Sequence, residues 1–127
     1  MTSDEDLIQQ IPSLVHRLRQ RLTWKPGAAA RHLLKRKLRG HLPADSSLLD
    51  YEALIYRLLE TETAQIYVYY ADETPYLSIT VNLDKRLWLV MASFDGVIET
   101  AFVVENPEGY MNRSMFRYIG TMTEVVK

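Results

Sequence analysis

The sequence predicts an α+β domain in which N-terminal helices pack on a four- to five-stranded antiparallel sheet. Three observations carry this. Apolar residues recur at three- and four-residue spacing through residues 5–61, and at alternate positions through much of 65–125, the periods of helix and strand respectively. The helical half precedes the strand half instead of alternating with it. The strand-like runs are joined by short polar turns, which suit antiparallel neighbours. With 127 residues the chain is expected to form a single domain, with 1–27 as a helical extension and 28–125 as an α+β core.

The first helix is expected over Asp4–Leu22, where Leu7, Ile11, Leu14, Val15, Leu18 and Leu22 form one stripe. Asp4, Glu5 and Asp6 suit its N-terminus, and Arg17, Arg19 and Arg21 suit its C-terminal end. Pro12 removes a donor inside the pattern, so a start near Pro12 is the alternative. Trp24-Lys25-Pro26-Gly27 reads as a break. The second helix spans Ala28–Arg39 and stops at Gly40. Its apolar side is Ala30, Leu34 and Leu38, opposite His32, Lys35, Arg36 and Arg39, so the leucines are expected inside and the cations outside. Ser47 and Asp50 resemble a capping box for a third helix, Leu48–Glu60.

Strands are expected at Gln65–Tyr70, Tyr76–Asn82, Arg86–Ser93 and Val97–Val104, the last pair joined at Asp95-Gly96. Trp88, in a nearly continuous apolar run, belongs to the core. Tyr67, Tyr69 and Tyr70 fit a half-buried strand better than a base-stacking surface. A short helical or irregular piece at Met111–Phe116 leads to a final strand at Tyr118–Val125.

Composition excludes several chemistries. The chain has no cysteine, which rules out disulfides, thiolate metal sites and a cysteine nucleophile. Phosphate-binding glycine loops, nucleophile elbows and metalloprotease histidine pairs are absent, and neither a metal nor a cofactor is expected. An acidic N-terminus without an apolar run behind it, and no membrane-length apolar segment, lead to the expectation of a cytoplasmic protein without membrane contact.

The net charge of -1 hides an asymmetry. Nine of the fifteen basic residues, and all three histidines, lie between His16 and His41 with no acid among them. From Leu42 onward six basic residues face thirteen acidic ones. Such a segment is a local phosphate attractor, or a solvated helical surface docked on an acidic remainder. Two histidines among fixed cations are the parts that metal-free RNA cleavage requires. One takes the 2′-hydroxyl proton, the other protonates the leaving oxygen, and lysine and arginine stabilise the phosphorane.

Arg31-His32-Leu33-Leu34-Lys35-Arg36 followed by Gly40-His41 resembles the helix motif of small metal-independent RNases. These are the toxin-type and phage-associated members of the superfamily that groups barnase, EndoU, the colicin tRNases and RelE. Gly96-Val97-Ile98-Glu99-Thr100-Ala101-Phe102 resembles their strand with a cleft-facing threonine. The resemblance spans residues 28–120. It implies His32 and His41 as the acid/base pair, Lys35 and Thr100 as further catalytic groups, and Arg31, Arg36 and Arg39 as phosphate ligands. Tyr110, Arg113 and Arg117 form a second basic-aromatic patch that joins the same groove if the last strand lies beside the basic helix. Lys37 departs from the motif, which carries a histidine there, and 1–27 lies outside it. The resemblance implies RNA, including tRNA, as substrate and a cognate inhibitor protein as partner. The first helix is then a candidate homodimer contact. The rival readings are a non-catalytic RNA-binding module and a protein-interaction domain.

Overall fold

The computed structural model describes residues 4–113 and 115–126. Three helices come first: α1 (Asp4–Gln20), α2 (Ala28–Leu38) and α3 (Leu48–Leu59). Strands β1 (Gln65–Ala71), β2 (Thr74–Leu83), β3 (Arg86–Ser93) and β4 (Ile98–Val104) then form an antiparallel meander. The short α4 (Pro107–Met111) leads back across the sheet to β5 (Phe116–Thr121), which pairs with β1, and α5 (Met122–Val125) follows. The order β4-β3-β2-β1-β5 makes β4 and β5 the two edges.

One face of the sheet carries the main core. Ile11, Leu14, Val15 and Leu18 of α1 and Tyr51, Ile55, Leu58 and Leu59 of α3 share a buried cluster with Ile66, Val68, Leu77, Ile79 and Val90. Trp88 belongs to this cluster, as its sequence context predicts. The stripe of α1 is therefore part of the main core. The helix starts at Asp4 and runs through Pro12. Its first turn is held from outside: Tyr70 donates to one oxygen of the Asp4 carboxylate, and Arg117 reaches the other at 2.6 Å. The capping box of α3 forms as expected, with Asp50 N–H on Ser47 Oγ and Ser47 N–H on Asp50 Oδ2.

The other face is aromatic. Leu89, Met91 and Val104 are buried beneath Tyr69, Tyr76, Phe102, Tyr110 and Phe116. Tyr67 and Tyr69 are half-buried here, packed against Phe116. The two elements that differ most from the sequence reading are the short helix and the last strand. The short helix is Pro107–Met111, begun by the Asn106 side chain accepting from Gly109 N–H, instead of Met111–Phe116. The last strand ends at Thr121, where Thr121 and Glu124 form a capping box that turns the chain into α5.

The largest correction concerns α2. Ala30, Leu34 and Leu38 face solvent, with Leu34 55% and Leu38 77% exposed, while Arg36 is 3% exposed. The helix is inside out relative to its hydrophobic pattern. Its position supplies the reason: α2 lies along β4, an edge strand, instead of over the apolar face.

Candidate nucleic-acid interface

An edge strand presents unpaired backbone N–H and C=O groups that an apolar stripe cannot satisfy. Three outward groups of β4 are met, one by a short length of chain and two by side chains. Ile98 N–H donates to Thr23 O at 2.7 Å, and Trp24 makes a parallel bridge to Ile98. Farther along, Tyr51 Oη donates to Ala101 O at 2.5 Å, and Val103 N–H donates to His41 Nδ1 at 3.3 Å. Burial pushes the Tyr51 phenol up to about 12, so it remains a neutral donor.

His41 reaches this position through the end of α2. Gly40 takes a left-handed φ of 73°, as a helix-terminating glycine does. His41 N–H then returns to Arg36 O at 2.8 Å and Gly40 N–H to Lys37 O at 3.1 Å. Arg86, at the start of β3, donates to Gly40 O at 2.8 Å and His41 O at 3.1 Å, which holds the turn against the sheet. The imidazole is fully engaged. Nδ1 accepts from Val103 N–H and from Arg36 Nη1 at 3.2 Å, so the ring proton sits on Nε2 and faces Glu105 Oε1 at 3.2 Å. Two donors aimed at Nδ1 disfavour a second proton there. Burial, opposed by the Glu105 hydrogen bond, lowers the His41 pKa, and Arg36 and Arg86 lower it further. His41 is thus an edge cap held neutral, with neither nitrogen free to exchange protons with a ligand.

Arg36 lies beneath this turn, 5.5 Å from the Phe102 ring centroid, and its Nε has no hydrogen-bond partner among the described residues. A planar guanidinium can spread over an aromatic face in this way where a lysine would not.

His32 sits about one helical turn from Arg36, half-buried against Trp24, with ring centroids 6.1 Å apart. Its Nδ1 is 3.4 Å from Thr100 Oγ1, and Nε2 bonds to no described residue. Burial lowers its pKa first, and the cations Lys35, Arg36 and Arg31 lower it further against the pull of Glu99. A neutral imidazole at neutral pH suits a base and not an acid. Thr100 and Val103 are three residues apart on β4, roughly 10 Å of strand. The two histidines therefore meet β4 at separate points.

The other candidates divide. Arg39, Tyr110 and Arg113 come together with His41, Glu105 and Asn106 around an open cleft of about 460 Å³ between the end of α2, β4 and α4. The Arg113 guanidinium lies 4.5 Å from the Tyr110 ring centroid, and Tyr110 packs on Phe102 and Phe116. Neither Arg39 nor Arg113 forms an ion pair with a described residue. Arg31 and Lys35 are exposed on α2 outside this cleft. Arg117 does not join the groove: β5 is the opposite edge of the sheet, and the arginine is paired with Asp4.

Sequence reasoning missed Glu105 and Trp24. Glu105 reads as one more surface acid at a strand end, and only its fold partner His41, 64 positions away, distinguishes it. Trp24 reads as part of a break, yet its Nε1 donates to Glu52 at 3.0 Å and its ring covers His32 and Tyr51. Among the described residues no group of three or more His, Asp and Glu side chains is arranged to hold a metal ion. Among the described residues no helix is long and apolar enough to cross a membrane. In comparison with known proteins, no family model, no curated protein and no solved structure matches this chain.

Proposed function

We propose that the chain binds single-stranded RNA across the cleft between α2, β4 and α4. The observation that carries this is the pairing of two arginines, Arg39 and Arg113, free of carboxylate partners among the described residues, with the half-buried ring of Tyr110 in one open cleft. Arginines contact phosphates without regard to sequence, and an aromatic face stacks a base. Glu105 lies in the same cleft and disfavours phosphate directly beside it, so the backbone runs along the arginine walls.

Fluorescence anisotropy with a labelled single-stranded RNA, over a range of salt, tests the reading. Arg39→Ala and Arg113→Ala should each flatten the log–log salt dependence by about 0.7. Tyr110→Ala should cost ~1–3 kcal/mol of stacking. Absence of binding at low salt, or binding indifferent to all three substitutions, refutes it.

Cleavage by 2′-hydroxyl transesterification is the second reading, favoured by one observation, His32 on Thr100 with Nε2 open. There His32 is the base, and Lys35 and Arg31 supply positive charge. The engagement of His41 leaves that scheme without its histidine acid, which is why it stands second. RNA incubated in EDTA with wild type and with His32→Ala decides it: cleavage by wild type alone establishes the nuclease, and intact RNA in both removes it.

A further inference from the structure

The inverted α2 leaves a surface that the cleft does not use. Leu34 and Leu38 form an outward stripe, and on a helical wheel Arg31 and Lys35 border it. Neither cation is ion-paired to a described residue. The same molecule carries the complement. A groove of about 780 Å³ runs between the start of α1, the β1–β2 turn and the β3–β4 turn. Leu7, Tyr70 and Phe94 give it apolar walls, and Asp72, Glu73 and Asp95 stand at its mouth. None of these three carboxylates is ion-paired to a described residue, whereas Asp4, also on the groove, is taken by Arg117.

We infer that the acidic groove of one copy receives the outward stripe of α2 from a second copy. Both surfaces combine apolar side chains with uncompensated charge, and the charges are opposite. The fixed position of α2 along β4, with Arg36 and His32 turned inward, keeps the stripe from folding back into the groove of its own chain. The two patches differ, so the contact is head-to-tail and leaves one groove and one stripe free at the ends of each assembly. Two leucines are a small anchor, which makes the association weak, and its charge makes it salt-sensitive. An anionic bilayer is the competing occupant of a leucine stripe edged by cations. It is the weaker choice because it leaves the complementary groove unexplained.

Sedimentation equilibrium of the full chain over a wide concentration range tests this. The average mass should rise above that of one chain with concentration and fall back as salt is raised. Two charge-reversed variants give the decisive arm, Arg31→Glu/Lys35→Glu and Asp72→Lys/Glu73→Lys. Each alone should remain monomeric, because its stripe and groove carry the same sign, and a mixture of the two should associate again. All four positions are exposed, and circular dichroism of each variant checks that the fold is intact. Leu34→Glu/Leu38→Glu keeps the groove without the stripe and should cap growth when mixed with wild type. A monomer at every concentration, or association that survives both charge reversals, overturns the inference. Co-sedimentation with phosphatidylserine vesicles that is lost in Leu34→Glu/Leu38→Glu, from a chain monomeric in solution, also overturns it and assigns the stripe to a lipid surface.

Discussion

Helices α1 and α2 each carry an apolar stripe in the sequence, and the fold uses the two stripes in opposite ways. In α1 the stripe is inside and Arg17 is exposed. In α2 the cation Arg36 is inside and Leu34 and Leu38 are outside. The difference follows from what each helix meets. The α1 stripe shares its cluster with the apolar face of the sheet, where burying leucine removes hydrocarbon from water and leaves no backbone group stranded. Alongside α2 lies the rim of β4, whose outward N–H and C=O groups lose more from an apolar cover than the leucines lose from exposure. Amphipathicity states which sides of a helix differ. The neighbour decides which side turns in.

The sharpest way to break this comparison is to make the same substitution in both helices. Leu18→Ala removes a side chain 1% exposed in α1 and should cost ~2–5 kcal/mol. Leu38→Ala, at 77% exposure, should stay within about 0.5 kcal/mol. Urea unfolding of both variants measures the gap, and equal costs would show that α2 buries its stripe after all.

The edge caps come next in size. Tyr51→Phe strands the carbonyl of Ala101, and His41→Ala strands Val103 N–H together with one nitrogen of Arg36. A buried polar group left without a partner costs about 1–3 kcal/mol, so both variants should be clearly destabilised. A general cap for the rim would let water or a neighbouring side chain take over, and His41→Ala would then be nearly silent in the same unfolding experiment.

Much of the fold was legible because local signals and tertiary demands agreed. The Ser47–Asp50 box, the Gly40 stop, the strand alternation and the burial of Trp88 all appear where the residues indicate. Pro12 misled less than its chemistry warns, since Asp4 is anchored by Tyr70 and Arg117 across more than sixty positions. The candidate site was half legible. His32 and Thr100 do meet, and Arg39, Tyr110 and Arg113 share a cleft. The engagement of His41 was not legible, because it depends on β4 being an edge and on Val103 N–H pointing outward, and strand order is not written in any local pattern. Arg117 fails for the same reason. Its basic-aromatic context is real, but β5 crosses to the other side of the sheet.

The smallest effect separates the two helices by pH. The histidines of α2 and its turn, His32 and His41, are both held below the ordinary 6.5, chiefly by burial. In the unfolded chain they take up protons at about pH 6.5, and in the folded chain only at lower pH. Between those values the unfolded state binds more protons, so stability should fall as pH drops below about 6.5 and level off once the folded histidines also titrate. The depressed carboxyl of Asp4, whose ordinary value is 3.8, loses its contribution only in a later, more acidic window. Urea midpoints measured from neutral to mildly acidic pH should therefore decline. His32→Gln and His41→Gln should each flatten part of that decline, whatever they do to the midpoint at neutral pH. Leu18→Ala should lower the whole curve without changing its shape, because the side chain it removes is hydrocarbon and binds no proton. A decline that survives both glutamine variants would mean that the inward face of α2 is not where the protons go, and would undo the contrast between the two helices at its electrostatic end.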